Sequence, residues 1–570
     1  MRRRPGLRRV ASALLSATLT VASAAFLALL ALALITGFFV PLLSDEVATH
    51  LGNARIFEEH GTTVSLLPQY SATWVQKVPV ALYPGAALLT LAYQDVGLLG
   101  LKISGVVGAV VGMAGVAWLA CRGVKTRRDR LHVVAGLCAI SSLGVVPFIV
   151  ILSRSEQPMK LCLIAICVLT LVARRRARRV GGHVVTGAAF LLLASLLFFN
   201  HTKALFFLPF VLAAAVLIAP PGRQRRWWCA LVVPCVLLMA WQSFRQAAEL
   251  VVCDEAPELA RWFGRLTLVP RDALVDPGTF FAAGWKNLVS MPAHAWSEVI
   301  FSANNTNWVP LPRLWRLSPA VRDLNETTAS GFVALVWGIP VLLLLAYRRR
   351  EPRARASVVL GGALVIGIAA NAFFYKAYPF YNCGLLMPAL SLVAALAIAA
   401  RDRPLLPRVI GQLGVLALLA LGLANLGALL HEFGPKLVEA RTKVGPTVAD
   451  QPAALPIFGY ELEKTKIRAL ASACGIEGDG ATHLVIDDYT LHAFAHLRQP
   501  LDLIYVTDAI PWLGLTLAGD KLPALLRRLE SPGIIGRCTY FPKTLRGKAT
   551  VSEAYCCVGK SAFDPPATPP

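Results

Sequence analysis

The sequence predicts an α-helical polytopic membrane protein of about eleven transmembrane helices, followed by a small α/β domain outside the membrane. Three observations predict it. Of the 570 residues, 56% are hydrophobic and only 16% charged, outside the range of ordinary soluble domains. The apolar residues arrive in runs close to the roughly 20 residues that cross a bilayer. Much of the basic excess, a formal net charge of +23, sits in short clusters at every second connection between those runs, as in loops retained on the cytoplasmic side. A soluble enzyme, a secreted disulfide scaffold and a disordered chain are thereby excluded. So is a nucleic-acid binder, because the charge is dealt out between apolar runs rather than gathered on one surface. The twelve cysteines contain no C-x-x-C pair, which removes zinc-ribbon and thioredoxin-like motifs.

The first run, 10–40, follows Arg2, Arg3, Arg4, Arg8 and Arg9. It starts like a signal peptide, but it outlasts a 7–15-residue h-region and continues through Phe38, Phe39 and Pro41, so it is expected to stay as the first span, N-terminus inside. Further runs lie at 97–120, 131–152, 159–173, 183–199, 204–219, 229–244, 331–347, 357–374, 382–400 and 409–430. Arginine clusters at 122–130, 174–179, 223–226, 348–355 and 401–408 alternate with short connections holding only Arg154, Lys160, Lys203 and Lys376. The clusters are therefore read as cytoplasmic, and the chain as a multi-pass protein of the inner (plasma) membrane. Residues 1–430 form the membrane domain, with outer loops at 42–96 and 245–330, and 431–570 a separate periplasmic or extracytoplasmic domain. In that tail, 482–488 and 501–506 read as strands, 489–498 and 521–530 as helices, and 534–541 and 555–558 as strands. Gly105, Gly108, Gly112 and Gly115 let the second span approach a neighbour closely, while Lys102, near its outer end, is expected to snorkel to the surface.

The segment at 41–61 carries the first candidate chemistry. It reads as a helix along the membrane surface: Ser44 caps it, Asp45 and Glu46 occupy its positive N-terminal turn, and Gly61 ends it. Val47, Leu51, Ala54 and Phe57 recur at helical spacing, with Asp45, Thr49 and Asn53 on another face. An acidic pair held at the membrane boundary suits action on a substrate presented from the outer leaflet, although acidic first turns are common in helices generally.

The order of these parts resembles the GT-C superfamily of membrane glycosyltransferases, in particular protein O-mannosyltransferases and aminoarabinose or galacturonosyl transferases of the bacterial envelope. In such families an outer loop opening with Asp-Glu follows the first span, as Asp45-Glu46 does here. A Pro-rich segment then leads to the second span, which 77–94 resembles. SRSEQP at 153–158, with Arg154 and Glu156, is similar to their short outer Ser-Arg-acid motif, and NHTK at 200–203 to the lysine in a tight outer turn. The likeness covers roughly 2–408. It departs where Lys203 is not followed by Gly-Pro and where Glu156-Gln157 replaces a more usual Asp.

The resemblance implies a hexosyl or pentosyl transferase that moves a monosaccharide from a polyprenyl-phosphate donor to an envelope acceptor (lipid A or lipopolysaccharide, a polysaccharide or a protein) on the outer face. Asp45 and Glu46 would be catalytic, Asp45 as general base. Arg154, Glu156, Lys203, Lys376 and Tyr378 would bind the donor headgroup, the cations stabilising the departing lipid phosphate. Each of these cations and tyrosines also has an interfacial reading, as a snorkelling side chain or part of an aromatic belt. The expected partners are the polyprenyl-linked sugar, the acceptor and membrane lipids. No cofactor is assigned and a divalent metal is left open. In the tail His483, Asp487, Asp488, His492 and His496 have the composition of a zinc site, with the last two at i and i+4, but HxxxH is common by chance and no site is assigned. Cys474, Cys538, Cys556 and Cys557 lie in a compartment that permits disulfides, with the pairing open. The competing readings are a transporter or flippase for a lipid-linked sugar, a glycan polymerase, and a noncatalytic envelope assembly protein.

Overall fold

The computed structural model describes residues 5–43, 46, 64–66, 77–79, 98–176, 180–220, 222–251, 264, 266–303, 311–314, 316–347, 352–376, 378–400, 408–442, 454–455, 457–477, 483–487, 489–494, 501–503, 507 and 521–564. Asp45 and most of 44–97 lie outside them. The membrane part is built from α1 (Pro5–Gly37), α2 (Leu98–Cys121), α3 (Arg127–Ile140), α4 (Val146–Ile149), α5 (Glu156–Arg176) and α6 (Val180–Phe198). It continues with α7 (Leu208–Ile218), α8 (Gln224–Val251), α9 (Asp272–Val275), α10 (Pro277–Val299), α11 (Pro319–Tyr347), α12 (Pro352–Phe374), α13 (Phe380–Ala399) and α14 (Arg408–Ala440).

Among the described residues, eight helices are long and apolar enough to cross a membrane, and the shorter apolar segments Gly182–Phe198 and Thr202–Ile218 accompany them. The expected eleven continuous spans are not all there. The run at 131–152 is broken: α3 stops at Ile140, and only the single turn of α4 follows. The cause is tertiary. Val145 donates its N–H to the carbonyl of Val299 at the end of α10, 3.0 Å away. Gly144 adopts φ +55° there, and a Cβ on it would fall 2.1 Å from that same carbonyl, so only glycine fits. The side chain of Asn425, on α14, accepts the Gly144 N–H at 2.9 Å. The break delivers 150–155, an irregular stretch, to one end of the bundle.

α2 comes unusually close to that stretch. A Cβ at Gly105 would lie 1.9 Å from the Ile151 carbonyl oxygen, and one at Gly108 2.6 Å from the Gln157 side chain. The glycine stripe therefore packs α2 on 151–157 and on α5. α13, four-fifths of whose spanning window is buried, is the central helix and closes the other side of α5.

α14 runs past the expected domain boundary at 430 to Ala440, with Phe433 and Leu437 buried on its continuation. The tail begins by returning to the bundle: β4 (Ala454–Leu455) pairs antiparallel with β1 (Leu42–Leu43), Leu42 opposite Leu455, and Phe458 rests 6.3 Å from the rings of Phe38 and Phe39. A separate antiparallel pair, β2 (Val64–Leu66) with β3 (Lys77–Pro79), lies in the first loop. Beyond β4 come α15 (Tyr460–Ala473), β5 (Val485–Ile486), β6 (Leu501–Asp502), α16 (Lys521–Arg528), β7 (Gly533–Arg537), α17 (Lys543–Arg546), β8 (Thr550–Ser552) and β9 (Tyr555–Gly559). The sheet order is β6-β5-β7-β9-β8, with β5 parallel to β6 and β7, and β9 antiparallel to β7 and β8.

The alternation of a strand assigns its two faces. Ile486, Ile535, Tyr555 and Cys557 pack with Ile467, Leu470 and Ala471 of α15, whereas Val485, Ile534, Cys556 and Val558 pack with Leu522 and Leu526 of α16. The adjacent cysteines 556 and 557 consequently point to opposite faces, and each has its own partner: Cys556 with Cys538 and Cys557 with Cys474. The helix expected at 489–498 is reduced to a 3₁₀ turn, Leu491–Ala493, among the described residues. Asp487 is responsible. Its Oδ1 accepts the N–H groups of Tyr489 and Thr490 at 3.1 and 3.0 Å, and its Oδ2 that of Arg537 at 2.6 Å, so the chain turns where it would otherwise wind.

Candidate functional site

The 150–155 stretch, the start of α5, the turn before α7 and the start of α13 meet at the site end of the bundle. Glu156 opens α5. It is 3% exposed and is held between two cations: Lys203, with which it makes a direct ion pair, and Arg154, whose Nε is 3.5 Å away. Tyr381, in the first turn of α13, roofs both, 4.3 Å from the Arg154 guanidinium and 4.2 Å from the Lys203 ammonium, ring centroid to charge. Tyr375 flanks Lys203 at 5.8 Å. Lys203 can sit there because the turn is pre-set: His201 caps the 3₁₀ helix Thr202–Phe207 by accepting the Lys203 N–H on Nδ1 at 3.0 Å, and Asn200 donates to the Ser155 carbonyl at 2.6 Å. Burial, reinforced by the adjacent Lys203 charge, lowers the His201 ring to about 3, so it stays neutral, with its proton on Nε2. Burial likewise raises the phenols of Tyr375 and Tyr378 well above their usual range.

A third cation stands behind the pair. Lys160, one turn along α5 and buried, donates to the Val150 carbonyl at 2.7 Å. One carboxylate thus faces three basic side chains, and a small cavity of about 10 Å³, room for about one water, lies beside them, lined in part by Arg154, Glu156, Gln157, Lys160 and Tyr381. Basic side chains held in place around one carboxylate suit an anion, and such groups are most effective where negative charge develops during reaction.

The acidic loop reaches the same place. Glu46 is fully buried; its Oε1 accepts the Ser153 N–H at 2.6 Å and its Oε2 the Leu43 N–H at 2.9 Å. Ser153 is the residue before Arg154, and its hydroxyl is 2.8 Å from that of Ser104 on α2. Asp45 lies outside the described residues, one peptide unit from Glu46.

Tyr378, Lys376 and Lys102 sit differently from what their sequence positions suggest. Tyr378 is 5% exposed in the apolar core, and Tyr381, three residues on, covers the cations in its stead. Lys376 is exposed and turned to the 264–268 stretch, donating to the Gly264 carbonyl at 2.5 Å while Leu266 and Leu268 pair with its strand-like backbone. It joins two loops and stands apart from the Glu156 cluster. Lys376→Ala should therefore lower the melting temperature in detergent only slightly, one exposed hydrogen bond being a small contribution; a loss comparable to that of a Lys203 variant, measured side by side, would overturn this placement. Lys102 does not snorkel. It is fully buried beside Glu46. Trp296 is a core residue stacked 5.5 Å from Phe332. Lys160 and Tyr375 carried no individual role in the sequence reading; Tyr381 belongs to the same tyrosine-rich turn as Tyr378, and Asn200 to the NHTK motif.

In the tail, no group of three or more metal-ligating side chains occurs among the described residues; Asp488 and His496 lie outside them. Asp487 is spent on backbone N–H groups, and His492 is buried, which lowers its ring to about 4. Because the unfolded ring titrates near 6.5, its contribution is complete above that pH and disappears as the pH falls toward 4. The tail should be about 2 kcal/mol less stable at pH 5 than at pH 7.5 through this group. Hydrogen exchange of tail peptides at both pH values, in wild type and His492→Phe, checks it: the variant should lose the difference.

No family model matches the chain, and no curated protein does. Among solved structures, ArnT from Cupriavidus metallidurans bound to undecaprenyl phosphate is similar with 11% identity and a TM-score of 0.47, covering 95% of this chain and 98% of that one. The apo state of the same protein gives 12% and 0.48 over the same shares. The Archaeoglobus fulgidus oligosaccharyltransferase, tethered with an acceptor peptide containing the NVT sequon, gives 12% and 0.40 over 90% of this chain and 69% of that one.

Proposed function

We propose that this protein is a GT-C-type glycosyltransferase that moves a hexosyl or pentosyl unit from a polyprenyl-phosphate donor to an envelope acceptor at the outer face of the inner membrane. The observation that carries the reading is the buried Arg154–Glu156–Lys203 cluster under Tyr381, tied through Ser153 to the loop bearing Asp45 and Glu46. The cluster sets two basic side chains around one buried carboxylate, a preformed arrangement for an anion. The acidic loop supplies a base beside it.

The chemistry is a single displacement. Asp45 takes the proton of the acceptor hydroxyl, whose oxygen forms the new bond to the anomeric carbon. The bond from that carbon to the phosphate oxygen breaks, and the electron pair leaves with the polyprenyl phosphate. Arg154 and Lys203 stabilise the leaving phosphate; Glu156 keeps both cations oriented when the site is empty. Tyr381 adds an aromatic face on which the sugar or the cations rest.

A transporter of the same lipid-linked sugar is favoured by two features, the broken α3–α4 segment and the buried Lys102 and Lys160. Mass spectrometry of polyprenyl-phosphate lipids and envelope glycans separates the two readings. A deletion strain should accumulate one lipid-linked monosaccharide and lack the same mass on a glycan, lipid or protein. Purified protein reconstituted in vesicles should then perform the transfer with donor and acceptor on one side of the bilayer. Movement of the donor across the bilayer without transfer would establish the transporter.

A further inference from the structure

Among the described residues the Glu46 carboxylate is the best-buried acid at the site end, and both its oxygens are engaged by the backbone: each accepts an N–H, from Leu43 and from Ser153. The fully buried Lys102 side chain lies within electrostatic reach of it, and its ammonium makes no hydrogen bond among the described residues. Leu43 belongs to β1, whose partner strand is β4 of the tail. Ser153 immediately precedes Arg154 and is further fixed by the Ser104 hydroxyl of α2. Four separate parts of the chain, namely the first loop, α2, the broken-helix stretch and the tail, therefore converge on one carboxylate.

We propose that Glu46 is a positioning residue, which with Lys102 as its buried neighbour ties Leu43 of β1, at the start of the first loop, to Ser153 beside Arg154. The inference deepens the glycosyltransferase reading and rests on it for the role of Asp45. A carboxylate is required because it alone presents two acceptors to two N–H donors. In Glu46→Gln one amide N–H₂ faces a backbone N–H, donor against donor, and Lys102 loses the opposite charge that Glu46 supplies. Breaking one side of a buried charge pair is far costlier than removing both. The two residues should accordingly be strongly non-additive.

The test uses full-length protein in lipid nanodiscs, as wild type, E46Q, K102M, E46Q/K102M and D45N. Hydrogen exchange should show lost protection in peptides containing Leu43 and Ser153 in E46Q, and part of it regained in E46Q/K102M. Transfer should fall about 100-fold in E46Q and about 10-fold in K102M, with the double variant no worse than E46Q. Undecaprenyl phosphate, used as the probe of the cation cluster, should bind within about threefold of wild type in all of them, which also verifies folding. The pH profile of the residual E46Q activity should keep the wild-type shape, because Glu46 does not exchange a proton with substrate. Unchanged exchange at both peptides, strictly multiplicative losses, or a pH limb that vanishes in E46Q would each overturn the proposal. An active D45N would instead remove the base assignment, leaving the exchange result standing for the joint.

Discussion

Asp45→Asn is expected to lower sugar transfer by about 10² to 10⁴, the usual worth of a general base, with no effect on expression, folding or undecaprenyl phosphate binding. The substitution keeps size and hydrogen-bonding capacity but cannot take a proton. The result is measured as single-turnover transfer from a polyprenyl-phosphate sugar, or in cells as accumulation of the lipid-linked monosaccharide. The adjacent Glu46 is not expected to substitute, since it is fully buried and anchored by two backbone N–H groups. A variant with near-normal turnover removes Asp45 from the mechanism.

Lys203→Met should be the most damaging substitution in the cation cluster, because it acts twice. It deletes a cation placed for the leaving phosphate, and it strands Glu156, 3% exposed, with Arg154 as its remaining partner among those that form ion pairs with it. Breaking a buried pair in this way costs about 3–5 kcal/mol of stability, and loss of a charge-stabilising group costs about 10² to 10³ in turnover. The two effects are separable. In Lys203→Met/Glu156→Gln the stranded carboxylate is gone, so the melting temperature in detergent should return most of the way while transfer stays low. Recovery of transfer together with stability would make the pair a structural brace and nothing more.

The sequence made the ingredients of this site readable and left their arrangement hidden, for identifiable reasons. Asp-Glu after the first span, SRSEQP and NHTK are local signals, and each marks a turn at the same end of the bundle. Which tyrosine faces the cations is a matter of helical phase. α13 begins at Phe380, so Tyr381 projects from its first turn over Arg154, and Tyr378 precedes the helix and falls into the core; a few tens of degrees would exchange them. The break at Ser141–Val145 was invisible because its cause, the Val299 carbonyl, comes from a helix some 150 residues further on. Lys102 read as a snorkelling residue because it stands near the outer end of its span; Glu46, the acid within its electrostatic reach, comes from the far end of the first loop. In the tail, the disulfide pairing followed once β9 was placed, because strand alternation sends Cys556 and Cys557 to opposite faces.

The strand pair that joins Leu42–Leu43 to Ala454–Leu455 bears on how the protein is made. The ribosome finishes β4 about four hundred residues after β1. At about 5–20 residues per second, the first loop must wait on the order of twenty to eighty seconds for its partner. Every span is in place before then. A segment made long after β1 therefore completes its edge, and a chain interrupted before Ala454 lacks that pairing. The strand three residues before Glu46 is thus closed only once every membrane helix has been synthesised.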